Sequence, residues 1–276
     1  QSGASYPAVN DRQVLEQRIP LPSLDEQKRI VAVLDQAFAA LDRARSLAGK
    51  NLADAEGLPA NYLHAYFEQE WRALPKRPFS EICSDTLIGL VRNKKEQGPN
   101  KAYDYVKMQH LGNDDRFVGG MTDRVDCSAE EAERFRLQKG DFLFNTRNSR
   151  ELVGKSCVLE QEPSSHTVFN NNVMRVRFVA EVEPRYIALI FRTRFVKAQL
   201  ESMKSGTTSV VAIYHKALKR LTIPLPDLDT QRRIANHFAD IDSRTLEARR
   251  RNETKLRNLA RLRKSLLQRA FAGGLT

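Results

Sequence analysis

The sequence predicts an α+β protein: one mixed α/β globular domain, with two long helices that form an antiparallel coiled coil. Three observations predict it. A repeat of roughly 50 residues places the same helical apolar periodicity at two points of the chain. Between the copies the periodicity gives way to short β-like runs bounded by turn residues. The two helical copies also carry opposite net charge, which favours packing against each other.

The chain has 276 residues, 41% of them hydrophobic, enough to bury a sizeable core. Its formal net charge of +11 describes a surface that attracts polyanions, nucleic acid before an anionic membrane. No stretch approaches the roughly 20 apolar residues needed to cross a bilayer, and the layout of a signal peptide is absent. Cys83, Cys127 and Cys157 are odd in number and widely spaced, against both a disulfide framework and a zinc site. A reducing cytoplasm is the expected location.

The repeat begins at Ile19-Pro20-Leu21-Pro22-Ser23-Leu24-Asp25-Glu26-Gln27-Lys28-Arg29-Ile30 and returns 204 residues later as Ile223-Pro224-Leu225-Pro226-Asp227-Leu228-Asp229-Thr230-Gln231-Arg232-Arg233-Ile234. In each copy the Pro-x-Pro segment cannot continue a helix, and Ser23 or Asp227 supplies the oxygen that caps the next one. Ser23 with Glu26 makes a capping box. Apolar residues then recur at spacings of three and four, predicting that Ile30, Leu34, Ala37, Leu41, Ile234, Phe238, Ile241, Leu256 and Leu259 serve helix–helix packing.

The first helical region, 19–72, is expected to break near Gly57-Leu58-Pro59 and resume to about Trp71. The second, 223–276, is expected to run unbroken to Phe271 before Gly273-Gly274. A helix of about 40 residues is roughly 60 Å long, a length that suits a spacer. Residues 24–72 carry six Lys/Arg against eight Asp/Glu, and residues 227–276 carry twelve against six.

The segment 73–222 reads as a separate domain, itself basic. Its candidate strands are Tyr103–Met108, Asp141–Asn145, Lys155–Leu159 and Val173–Phe178, and a helical pattern opens at Pro184 and continues to about Met203. Arg and Lys reach phosphates and guanine edges, Asn and Gln pair with adenine, and Ser and Thr donate to the backbone. Such residues cluster in loop-like stretches. The candidates for nucleic-acid contact are Arg92, Lys94, Lys95, Lys107, Gln109, Arg147, Asn148, Arg150, Lys204, Thr207, Thr208 and Lys216. The run Asn170-Asn171-Asn172 reads as turn chemistry, because Asn tolerates left-handed backbone.

Pro-Leu-Pro-x-x-x-x-Gln-x-Arg-Ile opens a long helix on both sides of a domain containing Gly140-Asp141-Phe142-Leu143-Phe144-Asn145-Thr146-Arg147-Asn148-Ser149. This arrangement resembles the DNA specificity subunits of type I restriction-modification systems, as does the tail Leu266 to Leu275. The resemblance covers essentially the whole chain. It implies a target recognition domain that reads one half of a split site in double-stranded DNA, and antiparallel helices that act as a ruler. It further implies docking of methyltransferase (modification) subunits and restriction subunits, with S-adenosylmethionine bound by the methyltransferase partners and no cofactor here. Only one recognition domain is complete. Residues 1–18 resemble the end of a preceding one, with Ser2-Gly3-Ala4-Ser5 similar to Ser205-Gly206-Thr207-Thr208. The chain is expected to be either the C-terminal half of a longer subunit or a half-sized form that pairs with a second copy of itself as a dimer.

No catalysis is expected. The Asn/Asp-Pro-Pro-aromatic motif of adenine methyltransferases and a cofactor-binding Gly-rich loop do not occur. Val153-Gly154-Lys155-Ser156 matches the end of a phosphate-binding loop, but Ser149 stands where its first Gly belongs. His64, His110, His166, His215 and His237 lack metal-ligand spacing, so no metal is expected. The competing reading is a coiled-coil adaptor that binds proteins and makes no direct contact with DNA.

Overall fold

The computed structural model describes residues 9–112, 116–120, 123–207 and 210–274. The fold is α+β. Its contacts divide it into two units, Gln1–Gly57 with Arg244–Thr276, and Leu58–Ser243.

In the first unit a short helix α1, Asp11–Leu15, is capped by Asn10, whose side chain accepts from the Gln13 N–H. The chain then passes through the Pro-x-Pro segment into α2, Leu24–Ala73. Ser23 Oγ accepts from the Glu26 N–H at 3.4 Å, and Gln27 Nε2 donates back to the Pro22 carbonyl at 2.8 Å. The part of α2 in this unit lies against the last part of α8, Leu228–Phe271. Arg263 pairs with Asp42 at 2.9 Å and Arg249 with Glu56 at 3.6 Å, so the residue numbers rise on one helix as they fall on the other. The two segments therefore run antiparallel. The Arg263 guanidinium also sits 4.4 Å from the centre of the Phe38 ring. Leu41, Ala48 and Ala270 are buried, while Ile30, Leu34, Ala37, Leu256 and Leu259 are half-buried, as befits a seam between only two helices.

Two expectations about helices need correction. The break foreseen at Gly57-Leu58-Pro59 does not interrupt α2, which contains Pro59. Proline removes one backbone donor at a cost of about 3 kcal/mol, and the residues that follow are anchored by burial of Leu63 and Phe67. Pro184 to Met203 is two helices: a buried Thr193 separates them, donating from Oγ1 to the Ile190 carbonyl at 2.6 Å and capping the second through the Val196 N–H.

The second unit contains β1 (Lys76–Pro78), α3 (Phe79–Ile82), β2 (Cys83–Ile88), β3 (Tyr103–Val106), β4 (Arg124–Val125), α4 (Ala129–Arg134), β5 (Phe142–Asn145), β6 (Arg147–Asn148), β7 (Ser156–Val158), β8 (Thr167–Phe169), β9 (Val173–Phe178), α5 (Pro184–Phe191), α6 (Arg194–Met203), β10 (Ser205–Gly206), β11 (Val211–Ala212), α7 (His215–Leu218) and β12 (Thr222–Pro224). Its central sheet is antiparallel in the order β2-β9-β5-β7. Phe142 and Phe144 of β5 face one apolar cluster with Tyr186, Ile190 and Phe191 of α5, and Leu143 faces another with Val106, Cys157 and Phe169. Both faces are covered, which is why the β5 run is uniformly apolar up to Asn145. A mixed sheet β4-β3-β8, a small sheet β10-β11-β6 and the pair β1-β12 complete the unit.

The second copy of the repeat is built into this core. Ile234 and Phe238 join Leu63 and Phe67, and the Phe238 ring packs against Tyr62 and Tyr66; Ile241 is partly buried beside them. Gln231 is buried and fastens the junction: Nε2 donates to Pro226 O at 2.8 Å and Glu181 O at 3.0 Å, and Oε1 accepts from the Glu183 N–H at 2.9 Å. Ile223 and Leu225 are 0% and 9% exposed, yet their counterparts Ile19 and Leu21 are 77% and 79% exposed.

Candidate nucleic-acid interface

The candidate residues fall into two groups joined by one turn. The turn is Asn170-Asn171-Asn172, where Asn170 Oδ1 accepts from the Asn172 N–H at 3.2 Å. On one side the Asn171 N–H donates to Leu90 O at 3.0 Å, two residues before Arg92. On the other, Thr146 N–H and Oγ1 both donate to Asn172 O, at 2.8 and 3.1 Å, next to Arg147. Gly89 is required there: a Cβ would lie 2.3 Å from the Phe169 carbonyl oxygen.

In the group around β3 and β4, opposite charges occupy most of the cations. Arg92 forms an ion pair with Glu131, donates to Asp126 O at 3.1 Å and Val91 O at 2.9 Å, and lies 3.5 Å from Glu96. The hydrogen bond to Glu131 raises the Arg92 pKa, and the same bond lowers that of Glu131. Lys107 Nζ reaches Asp123 at 2.7 Å, and Gln109 Nε2 donates to its other oxygen at 2.6 Å. Lys94 and Lys95 stand exposed in a short 3-10 turn capped by Asn93, whose Oδ1 accepts from the Lys95 N–H at 2.9 Å. These two lysines project freely, whereas Arg92, Lys107 and Gln109 brace the loops that carry them.

The other group surrounds β10-β11-β6. Arg147 is exposed opposite Ala212, and Asn148, opposite Val211, turns its Oδ1 to the Ser149 N–H at 2.8 Å. Arg150 pairs with Glu201; Lys204 meets the same carboxylate at 2.7 Å and donates to Arg150 O at 2.6 Å. The Thr207 N–H donates to Val210 O at 3.1 Å across the hairpin, and Lys216 is exposed on α7. Thr208 lies outside the described residues. Reading the sequence missed Arg177, bonded to the fully buried Asp141 at 2.7 Å, and Arg175, 2.6 Å from Asp85; a charge inside a strand pattern was the available signal.

Beside this region Phe79, Ser80, Cys83, Ser84, Asp85, Thr86, His215 and Lys219 line a cavity of about 300 Å³. Cys83, His215 and Asp85 have the composition of a nucleophilic set, but each is engaged elsewhere. Burial pushes the Cys83 thiol up to about 12, so it stays protonated, and its Sγ donates to Phe79 O at 3.0 Å. His215 lies 3.1 Å from Thr86 Oγ1, and burial holds its pKa below the ordinary value. Among the described residues no group of three or more His, Cys, Asp or Glu could hold a metal ion.

The sequence matches the family described as "Type I restriction modification DNA specificity domain" over residues 1–47 and 85–256. The chain belongs to that family. It is 27% identical to the specificity subunit of the type I restriction enzyme EcoKI of Escherichia coli K12, over 94% of this chain and 58% of that protein. It is also 27% identical to the putative MjaX specificity subunit of Methanocaldococcus jannaschii, over 75% of this chain and 47% of that one. The chain thus spans less than two thirds of the length of the curated relatives it matches. The fold agrees with two solved structures. One, from work on complex assembly and conformational transition of the type I R-M system, gives a TM-score of 0.73 at 24% identity, covering 99% of this chain and 65% of that chain. The HsdS subunit from Thermoanaerobacter tengcongensis gives 0.65 at 22% identity with the same coverage. No helix of the described residues is long and apolar enough to cross a membrane.

Proposed function

We propose that the chain is a non-catalytic, sequence-specific reader of double-stranded DNA, and that residues Leu58–Ser243 make the contact. Membership of the specificity family carries this reading and favours it over a protein-binding adaptor. The site adds physical support: two groups of basic and amide side chains are tied to one turn, with Lys94, Lys95, Arg147 and Lys216 exposed and Arg92, Lys107, Arg150 and Lys204 bracing the loops. Phosphate contacts of this kind set register and orientation, and base edges supply the sequence information. The helices α2 and α8 then act as a spacer on which methyltransferase and restriction subunits assemble, in the cytoplasm. S-adenosylmethionine belongs to the methyltransferase partners, and a second recognition domain, from the same polypeptide or a second copy of the chain, reads the other half-site.

Titrating the chain with duplex DNA while varying salt tests the reading. Neutralising roughly six phosphates gives a slope of about −5 in log affinity against log salt. Lys94→Glu with Lys95→Glu is expected to weaken binding at least about tenfold, since each reversal also introduces repulsion. A slope near zero, or unchanged affinity in the double variant together with Arg147→Glu, rejects the interface.

A further inference from the structure

The residues on either side of β11 and its extension to Ile213, Val210 before and Tyr214 after, present two largely apolar side chains to solvent inside the basic group. Tyr214 is 57% exposed and Val210 is 51% exposed, while Val211, Ala212 and Ile213 between them are buried. The backbone at Tyr214 is fixed on both sides. The Ile213 N–H donates to Thr146 O at 2.9 Å, and the Tyr214 carbonyl accepts from the Ala217 and Leu218 N–H groups at 2.9 and 3.1 Å. His215, the next residue, is held at Thr86. Val210 is held by the hairpin, where Gly206 adopts φ +135° and a Cβ would lie 2.4 Å from the Val210 carbonyl oxygen.

A ring held in water on a fixed mount has already lost most of its backbone freedom, so a partner that covers it gains the buried area at little further entropic cost. The partner's charge is indicated by the neighbours. Arg147 stands opposite Ala212 on β6, two residues from Tyr214 in the register, and Lys216 follows two residues along the chain. Both are exposed, and neither side chain forms an ion pair among the described residues. An aromatic and an aliphatic group rimmed by free cations complement a surface with an anionic border and an apolar interior. Duplex DNA offers that combination: phosphates outside, and base edges and thymine methyl groups within the groove.

We propose that Tyr214, assisted by Val210, is a specificity-determining contact to the bases of duplex DNA, with Arg147 and Lys216 on the flanking phosphates. This rests on the DNA-reading function above. Neither Tyr214 nor Val210 carries a charge, so neither contributes to the salt slope; placed on base edges, their contribution falls on discrimination between sequences, and that of Arg147 falls on overall affinity.

The test selects duplexes from a random-sequence pool with the full chain and then measures affinity for selected and random DNA across salt. Tyr214→Ala is expected to lower affinity for the selected sequence about ten- to a hundredfold, leaving random-duplex affinity and the salt slope unchanged. Tyr214→Phe should keep affinity for the selected sequence within about threefold, because the ring remains. Arg147→Ala is expected to weaken both affinities and reduce the slope by about one. The proposal is overturned if Tyr214→Ala discriminates as well as the parent chain, or if its lost affinity comes with a lowered unfolding midpoint, which marks a structural role. If the parent chain binds no duplex, the DNA-reading function itself falls.

Discussion

Arg92 and Arg147 have the same side chain in similarly polar stretches, yet one is clasped by Glu131 and the other stands in solvent. Sequence supplies the residue type; the carboxylate that claims it comes from 39 positions away for Arg92 and 51 for Arg150, a separation that local spacing does not reveal. Tyr214 was hidden for the opposite reason, since an aromatic closing a short apolar run reads as core. His110 shows what such burial does to a titrating group. Its Nδ1 accepts from the Lys107 N–H at 2.9 Å, and burial lowers its pKa below 6.5, with the Asp123 carboxylate opposing and the Lys107 charge reinforcing in lesser degree. The unfolded imidazole therefore takes a proton first as pH falls. The contribution of this burial to stability is complete above the ordinary histidine range and is lost as pH falls through it towards the lowered native value. An NMR titration of the His110 ring should give a midpoint under 6.5, and a midpoint at or above that value contradicts the burial.

At the scale of elements, the long helices were legible because capping and apolar spacing are local properties. Strands β5, β7 and β9 were legible as apolar runs. β2 was not, since Ser84, Asp85 and Thr86 interrupt it, and two-residue strands such as β6 and β10 carry too little pattern to register. The break at Thr193 was missed because its cause, a buried hydroxyl bonded to Ile190 O, depends on packing. The repeat offers an internal control on what fastens a helix to a core. Gln27 and Gln231 each bond the carbonyl five residues back, but Gln231 adds Glu181 O and the Glu183 N–H in a buried setting. Gln231→Ala is expected to cost about 3 kcal/mol by stranding those groups, and Gln27→Ala about 1 kcal/mol or less. Urea unfolding of the two variants measures both, and equal losses would show that the second junction is not the tighter one.

For the whole molecule, the α+β class and the antiparallel pairing could both be anticipated from one repeat and one change of periodicity. What could not be anticipated was that the helices are shared: residues 58–73 and 228–243 belong to the globular unit, where Phe67 and Phe238 sit in its largest apolar cluster. Deleting the helical stretches that carry Phe67 and Phe238 therefore removes packing from that unit as well as length from the helices.

The bare Pro-x-Pro segment carries a different consequence. Ile19 and Leu21 present to water what Ile223 and Leu225 hide, and sheltering each such side chain is worth about 1.5–3 kcal/mol. Concentrated preparations should therefore be sticky, with sedimentation showing reversible clustering that Ile19→Ser with Leu21→Ser relieves; unaltered clustering in that variant would assign the adhesion elsewhere. Because neither side chain is packed, polar replacement at these two positions should cost the fold little, unlike the same change at Ile223 or Leu225.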